Sequence, residues 1–474
     1  MLFVMQDDRA GLEAGLAERP WLAVATVCLG AAMAAIDASI VNVGLPTMQD
    51  YFHTTVSNIA WVSLTYLLIL TTVVVLAGRL ADGIGRSRMY RAGFLVFGIA
   101  SAGCGFAPSL GVLLISRLVQ GVGAAMLQAN SVAIVTGSVP ASMRGRAIGV
   151  QGAAQAVGLA IGPAVGGFLL AAFSWRAIFL VNLPIAALAL IVGPYTLPKD
   201  PAGRSMPHVD PLSSVLMALV LVLALVSLNP SLPGHQFWYV ELAAAVVLGY
   251  VFARRQGLVP TPLIEPELVK ILNVTGGVVL GVLSFSVLYG VIFLTPYYLQ
   301  EVRHLPAARM GLLLTAIALS MTAVAPFAGT FADRFGNRKV AVGGLLILVA
   351  GSVAIFSWTP LTNFAWTVPA MALIGAGAGV FTPPNNSSVM GSAPSHHLGV
   401  TGGLLNMGRS IGMSLGQALV ASLFELGAMH GGYFSGFREA MVLVIVIAVV
   451  ALVLQWFMPK DSGTAGHDMP FLPD

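Results

Sequence analysis

The chain has 474 residues, of which 57% are hydrophobic and only 9% are charged, and its formal net charge is +4. Soluble domains carry roughly 25% charged residues, so this composition excludes a water-soluble globular protein. The basic residues lie in short loops between apolar stretches, and the two cysteines, Cys28 and Cys104, lie within such stretches. These positions argue against a nucleic-acid partner, a disulfide framework and a metal cluster.

Apolar stretches of about 20 residues recur along the chain, and each is long enough to cross roughly 30 Å of hydrocarbon. They predict an all-α polytopic membrane protein embedded in the lipid bilayer. Fourteen spans are predicted, at 21–46, 56–78, 89–107, 110–137, 146–172, 176–197, 211–229, 237–254, 272–300, 307–328, 339–358, 364–389, 397–424 and 438–458.

The loop charges predict how these spans are oriented. Nearly all Lys and Arg residues outside the spans fall on the side of the N-terminus, and the other side holds only Arg176, Arg303, Arg309 and Arg438. Because positively charged loops stay in the cytoplasm, we predict an inner or plasma membrane protein with both termini cytoplasmic. Residues 1–20 and 459–474 are the predicted tails, and no cleavage site of the A-x-A type follows the first apolar run.

Two patterns repeat about 250 residues apart along the chain. The loop after span 2 and the loop after span 10 share four positions, Gly78, Ala81, Asp82 and Gly85 in the first and Gly329, Ala332, Asp333 and Gly336 in the second. Spans 5 and 13 share a four-residue glycine spacing, at Gly158, Gly162 and Gly166 and at Gly408, Gly412 and Gly416. We therefore predict two six-span halves, 21–197 and 271–458, joined by a linker, 198–270, that carries two extra spans.

Four motifs on consecutive elements give this sequence a family resemblance. They are the loop with Gly78, Asp82, Gly85, Arg86 and Arg88, the span 1 segment Asp37 to Pro46, the span 4 segment Arg117 to Gly121, and the span 5 positions Gly158, Gly162, Pro163, Gly166 and Gly167. Together they resemble the major facilitator superfamily and its fourteen-span drug/proton antiporter family. The resemblance implies two six-helix bundles related by a parallel repeat. The span 5 glycines also have a purely structural interpretation, which is close helix packing in lipid.

Asp37 is the one acid placed deep within a span, because about nine residues of helix, roughly 13 Å, separate it from Pro46. Arg117 lies at a similar depth in span 4. A buried carboxylate beside an arginine can exchange a proton reversibly, so this pair is the predicted proton-coupling element. The resemblance implies a proton or substrate site at Asp37 and a part in coupling for Arg117. The alternative is a structural ion pair that ties span 1 to span 4.

Arg409 lies near the middle of span 13 and has no acid in its own span, so it is predicted to be either a second coupling element or a helix-packing clamp. Glu241 and Glu425 lie close to the ends of their spans, where both can reach the interface. Gly408 to Gly412 also spells a hydrolase elbow, but that motif requires a strand-to-helix turn, so we interpret it as a chance match.

The repeated loops are predicted gating elements. An acid at Asp82 or Asp333 can pair with a helix N-terminus or with neighbouring arginines, and the resemblance implies a gate that stabilises the outward-facing state. The alternative is that these residues serve only as topology charges.

Candidates for the substrate cavity are aromatic and amide side chains on spans 2, 9 and 12. They are Trp61, Tyr66, Phe285, Tyr289, Phe293, Asn385 and Asn386. The stripe at Phe285, Tyr289 and Phe293 is also explained by packing or lipid contact. His396 and His397 are too few for a metal site.

These features predict a proton-coupled antiporter that exports small amphipathic or lipophilic molecules, of the multidrug efflux and antibiotic resistance type. The alternatives are a dedicated metabolite or lipid exporter, a proton-coupled importer, and a membrane enzyme or sensor. No catalytic constellation and no phosphate-binding loop stands out, so we predict that the chain is not an enzyme. No cofactor or metal is expected, and we expect it to function as a monomer.

Overall fold

The computed structural model describes residues 20–140, 143–200, 210–228, 235–259, 262–394 and 398–459, which contain helices and no β-strand. The helices are α1 (Pro20–Phe52), α2 (Val56–Ile84), α3 (Arg86–Gly105), α4 (Leu110–Ser138), α5 (Arg144–Ala172), α6 (Ala177–Leu180), α7 (Asn182–Thr196), α8 (Pro211–Ser227), α9 (Trp238–Gln256), α10 (Pro266–Lys270), α11 (Leu272–Tyr297), α12 (Ala307–Phe335), α13 (Asn337–Phe356), α14 (Phe364–Ser392) and α15 (Leu398–Phe457). A π-helical turn, Tyr298–Val302, continues α11. Nearly all of both predicted tails, and His396 and His397, lie outside the described residues.

Every predicted span overlaps helix, and α15 covers two of them. This 60-residue stretch is interrupted at Gly432, whose φ of 76° and ψ of 176° are not helical, so two helices meet there. By length and composition, ten helices in the described ranges are able to cross a membrane, with Val400–Phe457 counted once. The predicted number of fourteen spans is therefore not confirmed.

The helices that this count omits have identifiable features. α3 begins with Arg86, Arg88 and Arg91 close together, which lowers its mean hydropathy. α8 is only 17 residues long, and α9 carries Glu241 in its first turn with Arg254 and Arg255 in its last. Charges at helix ends are compatible with spanning because long side chains extend into the interface.

The two inserted helices, α8 and α9, pair with each other. Asp210 caps the start of α8 and accepts hydrogen bonds from Nη2 and Nε of Arg255 at 2.9 and 3.1 Å. These hydrogen bonds lower the pKa of Asp210 to about 2. The pair packs on the rest of the protein through α8, which contacts α2. Two hydrogen bonds to the adjoining loops add to this contact, from Arg79 in α2 to the carbonyl of Pro262 and from Ser422 in α15 to the carbonyl of Leu228.

We call α1–α7 the N-terminal half and α11–α15 the C-terminal half. The repeated glycines have equivalent positions in both, since Gly158, Gly162 and Gly166 of α5 pack on α1, and Gly408, Gly412 and Gly416 of α15 pack on α11. A Cβ at Gly158 would lie 2.7 Å from the carbonyl oxygen of Ala32, so only glycine allows this approach without movement. Small residues that allow close backbone approach are the usual basis of helix packing in lipid.

The halves contact each other mainly through two helix pairs, α5 with α12 and α2 with α15, and α1 adds smaller contacts with α11 and α12. We call the end of the bundle that holds the α1–α2 connection the α1–α2 face, and the opposite end the α2–α3 face. Near the α1–α2 face, a Cβ at Gly167 would lie 2.5 Å from the carbonyl oxygen of Ala307, and a Cβ at Gly311 would clash with the carbonyl of Pro163. The backbones of α5 and α12 therefore touch at this end of the molecule.

The second contact between halves is polar. The backbone N–H of Ser57, in the first turn of α2, donates to Oε2 of Glu425 at 2.7 Å, and Nε2 of Gln417 donates to the carbonyl of Ala60 at 3.3 Å. Glu425 is only 5% exposed. A carboxylate at a helix N-terminus is stabilised by the helix dipole, so this contact also holds the halves together at the α1–α2 face.

Candidate functional site

Asp37 and Arg117 form an ion pair in the interior of the N-terminal half. Nη1 of Arg117 donates to Oδ2 of Asp37 at 2.6 Å, and the side chains are 1% and 0% exposed. Because α1 and α4 supply one partner each, the pair joins two helices of the same half. Breaking a buried pair of this kind by removing one partner costs about 3–5 kcal/mol, since the other charge is left uncompensated.

Two amides complete the surroundings of the carboxylate. Oδ1 of Asp37 accepts from Nε2 of Gln120 and from Nδ2 of Asn182, both at 2.9 Å. Gln120 also accepts from Nη1 of Arg117 at 2.7 Å and donates to Oγ of Ser101 at 2.8 Å. The three side chains that contact the Asp37 carboxylate, Arg117, Gln120 and Asn182, are all hydrogen-bond donors. This is the hydrogen-bonding pattern of an ionised carboxylate.

Arg117 is held by further contacts from α2 and α6. Its Nε donates to the carbonyl of Val62 at 2.7 Å, and its guanidinium lies 4.3 Å from the ring centroid of Tyr66 and 5.8 Å from that of Phe179. Tyr66, a predicted cavity residue, therefore packs against the guanidinium of the ion pair, and it is not among the residues that line the apolar cavity between the halves. Stacking against an aromatic face stabilises a desolvated arginine by about 2 kcal/mol.

Sequence reasoning missed Gln120, Asn182 and Ser101. Gln120 lies three residues after Arg117, a spacing that places both side chains on one helix face, and this signal was available. Asn182 is an isolated amide in an apolar span, which is a weaker signal. Ser101 gave none.

An apolar cavity of about 50 Å³ lies between the halves, and its wall includes Ala38 and Ser39, which follow Asp37 in α1. It is lined by α1, α5, α11, α12 and α15, and among its wall residues are Phe285, Tyr289 and Pro163. Phe293 does not line this cavity but is fully buried, and its ring packs at a tilt against that of Tyr297. Trp61 is half-buried and packs against the core. The predicted aromatic stripe is therefore divided, with two rings on the cavity and one in packing.

The other predicted polar residues lie elsewhere. Asn385 donates to the carbonyl of Gly277 at 3.1 Å and lines a small pocket between α11, α13 and α14, while Asn386 is half-buried next to it. Arg409 lines a separate cavity of about 300 Å³ toward the α2–α3 face. The sequence Gly408 to Gly412 lies within helix, as expected for a chance match to the hydrolase elbow.

The first predicted gating loop is organised around Gly85. Asp82 and Arg86 form an exposed ion pair at 2.9 Å, and the backbone N–H groups of Ser87 and Arg88 donate to the carboxylate of Asp200 at 3.0 and 2.9 Å. Asp200 thus caps the N-terminus of α3, a role the sequence did not reveal. A Cβ at Gly78 would make only an ordinary van der Waals contact, with Ala129, so the packing does not require glycine there.

The second gating loop is built differently. Asp333 is exposed and forms no ion pair with any described residue, and Arg338 donates to the carbonyl of Trp456 at the end of α15. Both loops therefore contact the segment at or beyond the end of the last helix of their own half. A carboxylate makes the contact in one half, and a guanidinium makes it in the other.

Replacing Gly85 with Ala is expected to destabilise the protein more than replacing Gly336 with Ala. Both glycines have positive φ, 110° and 87°, so either change costs about 1–3 kcal/mol of backbone strain. Only at Gly85 does a Cβ clash with Asp200, whereas nothing lies near a Cβ at Gly336. Thermal unfolding in detergent would measure both losses. Equal losses, or no rescue of G85A by D200A, would contradict this account of the cap.

Comparison with known proteins agrees with this architecture. The model of the Major Facilitator Superfamily matches residues 27–417. The riboflavin transporter RibZ of Clostridioides difficile strain 630 is 30% identical over 426 residues, which cover 90% of this chain and 93% of that protein. The multidrug resistance protein Stp of Mycobacterium tuberculosis strain CDC 1551 / Oshkosh is 30% identical over 404 residues, covering 83% and 74%.

A third relative, the tetracenomycin C resistance and export protein of Streptomyces glaucescens, is 28% identical over 413 residues, covering 86% of this chain and 77% of the relative. Among solved structures, a bacterial homologue of the human lysosomal transporter Spinster, inward-facing and unoccupied, superposes with a TM-score of 0.67 at 16% identity. The alignment covers 92% of this chain and 96% of that one. The chain therefore belongs to the Major Facilitator Superfamily, a family of membrane transporters rather than enzymes.

Proposed function

We propose that this protein is a proton-coupled antiporter that exports small amphipathic or lipophilic compounds from the cytoplasm by alternating access. The observation that carries the proposal is the fully buried pair of Asp37 and Arg117, whose helix α1 also lines a cavity between the two halves at Ala38 and Ser39. An ionisable group within a membrane span is costly and is usually retained for function. The resistance and export functions named for two relatives support the direction of transport.

The proposed arrangement has fourteen spans with both termini in the cytoplasm of an inner or plasma membrane protein. The ten helices that qualify by composition are joined in this proposal by α3, α8 and α9 and by the division of α15 at Gly432. The α2–α3 face is then cytoplasmic. The halves touch at the opposite face, so this conformer is inward-facing, like the solved Spinster homologue.

In the proposed cycle, the inward-facing state holds Asp37 ionised and paired, and substrate enters from the cytoplasm. Rocking of the halves opens the α1–α2 face, where a proton binds Asp37 and weakens its attraction to Arg117. Substrate leaves, and the return step delivers the proton to the cytoplasm. The loop with Asp82, Gly85, Arg86 and Arg88 is proposed as the gate, with Asp333 in a lesser role. The glycines Gly158 to Gly166 are proposed to hold α5 on α1, and the contact of Gly167 with α12 is the one that opens.

A second candidate is a transporter dedicated to one metabolite. Its support is the similarity to the riboflavin transporter RibZ, which extends over 90% of this chain. Proton-coupled import is the corresponding alternative for direction. A dedicated transporter would discriminate sharply between compounds of similar polarity, whereas an efflux protein would not.

Everted membrane vesicles test the direction. The neutral dye N-phenyl-1-naphthylamine is expected to accumulate in the vesicle lumen when the lumen is made acidic, because luminal protons leave in exchange. A protonophore should abolish this accumulation, and vesicles without the protein are the control. Movement of the dye out of an acidic lumen would indicate an importer. A susceptibility panel in an efflux-deficient host then separates broad export from transport of one metabolite.

A further inference from the structure

A polar cavity of about 300 Å³ lies toward the α2–α3 face between the two halves. Its wall is formed by the first half of α1, Tyr90 of α3, the second half of α4, the first half of α5 and the first third of α15. The polar side chains of this wall are amides, hydroxyls and one guanidinium, at Tyr90, Gln128, Ser131, Gln151, Gln155, Asn406, Arg409 and Ser410. No acid is among the residues that line it.

Arg409 therefore gives the cavity a positive charge that none of the described wall residues compensates. Its Nη2 donates to Oδ1 of Asn406 at 2.6 Å, but its Nε is buried without a hydrogen-bond partner in the described part of the chain. Arg409 as a whole is half-buried, whereas the fully buried guanidinium of Arg117 is already neutralised by Asp37. A charge that is partly withdrawn from water and held by neutral groups alone is costly, so a ligand that supplies the missing anion would be favoured.

An apolar compartment adjoins the charged one. The side chain of Met413 lines both the polar cavity and the apolar cavity of about 50 Å³. The guanidinium of Arg409 lies 5.8 Å from the ring centroid of Phe285, which is a wall of the apolar cavity. Methionine is flexible and adapts to ligands of different shapes, so Met413 can move to join the two compartments.

We infer that Arg409 binds an anionic group of the substrate, such as a sulfonate, carboxylate or phosphate. The apolar body of the same molecule lies toward Met413, Phe285 and Tyr289. Amphipathic anions are thus the preferred substrates over neutral compounds of similar shape, and cations are repelled by the charge that the cavity already holds. This inference rests on the proposed export function and specifies its substrates. It also assigns Arg409 to binding instead of proton coupling or helix packing.

Two dyes that differ by one charged group test the inference. 8-Anilinonaphthalene-1-sulfonate carries a sulfonate that N-phenyl-1-naphthylamine lacks. Dissociation constants are measured for the protein in lipid nanodiscs, with empty nanodiscs subtracted. The wild type should bind the sulfonate at least about 10-fold more tightly than the neutral amine, the ratio expected for a charge-assisted contact. Equal affinities in the wild type would overturn the inference without any variant.

The variants locate the effect. Arg409→Gln should weaken sulfonate binding at least about 10-fold and change binding of the neutral dye less than about 2-fold, while Arg409→Lys keeps most of the preference. Arg438→Gln, which removes an exposed arginine near the opposite face, is the matched control and should change neither constant. If R409Q weakened both dyes equally or neither, Arg409 would be a packing residue.

Failure of the inference and failure of the proposed function give different results. Accumulation of the neutral dye in acidic everted vesicles, without sulfonate preference at equilibrium, would disprove only the anion site. Sulfonate preference that depends on Arg409, without proton-driven accumulation of either dye, would disprove the antiport function and leave the anion site in place.

Discussion

Replacing Asp37 with Asn is expected to abolish proton-driven transport, with a loss of at least about 100-fold, while the protein still folds and binds substrate. Asparagine has nearly the shape of the carboxyl group and can still accept from Arg117 and one amide, but it cannot exchange a proton. Since Asn resembles the protonated state, exchange of labelled for unlabelled substrate without a pH gradient should continue. Dye accumulation in acidic everted vesicles and counterflow in proteoliposomes measure the two activities.

The matched control for this prediction is Asp210→Asn. Asp210 is also an aspartate that is bonded to an arginine, Arg255, but it lies at the start of inserted helix α8, away from the cavities. D210N should retain proton-driven transport. If D37N transported at the wild-type rate with the same response to the pH gradient, Asp37 would be a structural partner of Arg117 only. If D37N lost counterflow as well, its role would be in binding or folding.

Replacing Gly311 with Leu is expected to hold the α1–α2 face open and to reduce transport at least about 10-fold. A Cβ at Gly311 meets the carbonyl of Pro163 in the other half, and Gly167 faces it across the same contact. Overpacking in a close contact costs about 1–3 kcal/mol, and separating the halves at this face relieves it. The conformer in which these two backbones touch should therefore be disfavoured.

Spin labels can measure that shift. Cysteines at Phe173, after the end of α5, and at Leu361, between α13 and α14, are exposed positions near the α1–α2 face of the two halves. With Cys28 and Cys104 replaced, the label distance should increase by several ångströms in G311L. Gly343→Leu is the control, since nothing lies within 4 Å of a Cβ there. An unchanged distance in G311L would mean that the contact between Gly167 and Gly311 does not control closure.

The ion pair shows how far a sequence can predict a membrane site. Helical rise converts residue counts into depth, so the positions of Asp37 and Arg117 along their spans were enough to place them at one level. Sequence spacing does not give the rotation of one helix relative to another. The contact of Asn182 with Asp37, from a different helix, could not be predicted for that reason.

Arg409 also shows that partners on other helices cannot be predicted from sequence spacing. Its sequence neighbours indicated that no acid of its own span lies close to it, but acids from other helices remained possible partners. Only the packing of α1, α4, α5 and α15 around one cavity shows that the described walls contain none. Asp200 is a similar case, because nothing in the linker sequence indicates that its carboxylate caps α3 beside Gly85.

The sequence by itself determined the membrane environment, the helical class, the repeat of two halves and the depth of the buried charges. These follow from hydropathy, residue spacing and loop charge, which are properties of the chain read in order. The tertiary structure decided which side chains converge on Asp37, where the halves touch, and which cavity holds the positive charge of Arg409. Those features depend on how helices distant in sequence rotate and pack, because close contacts between small residues fix the approach of each pair.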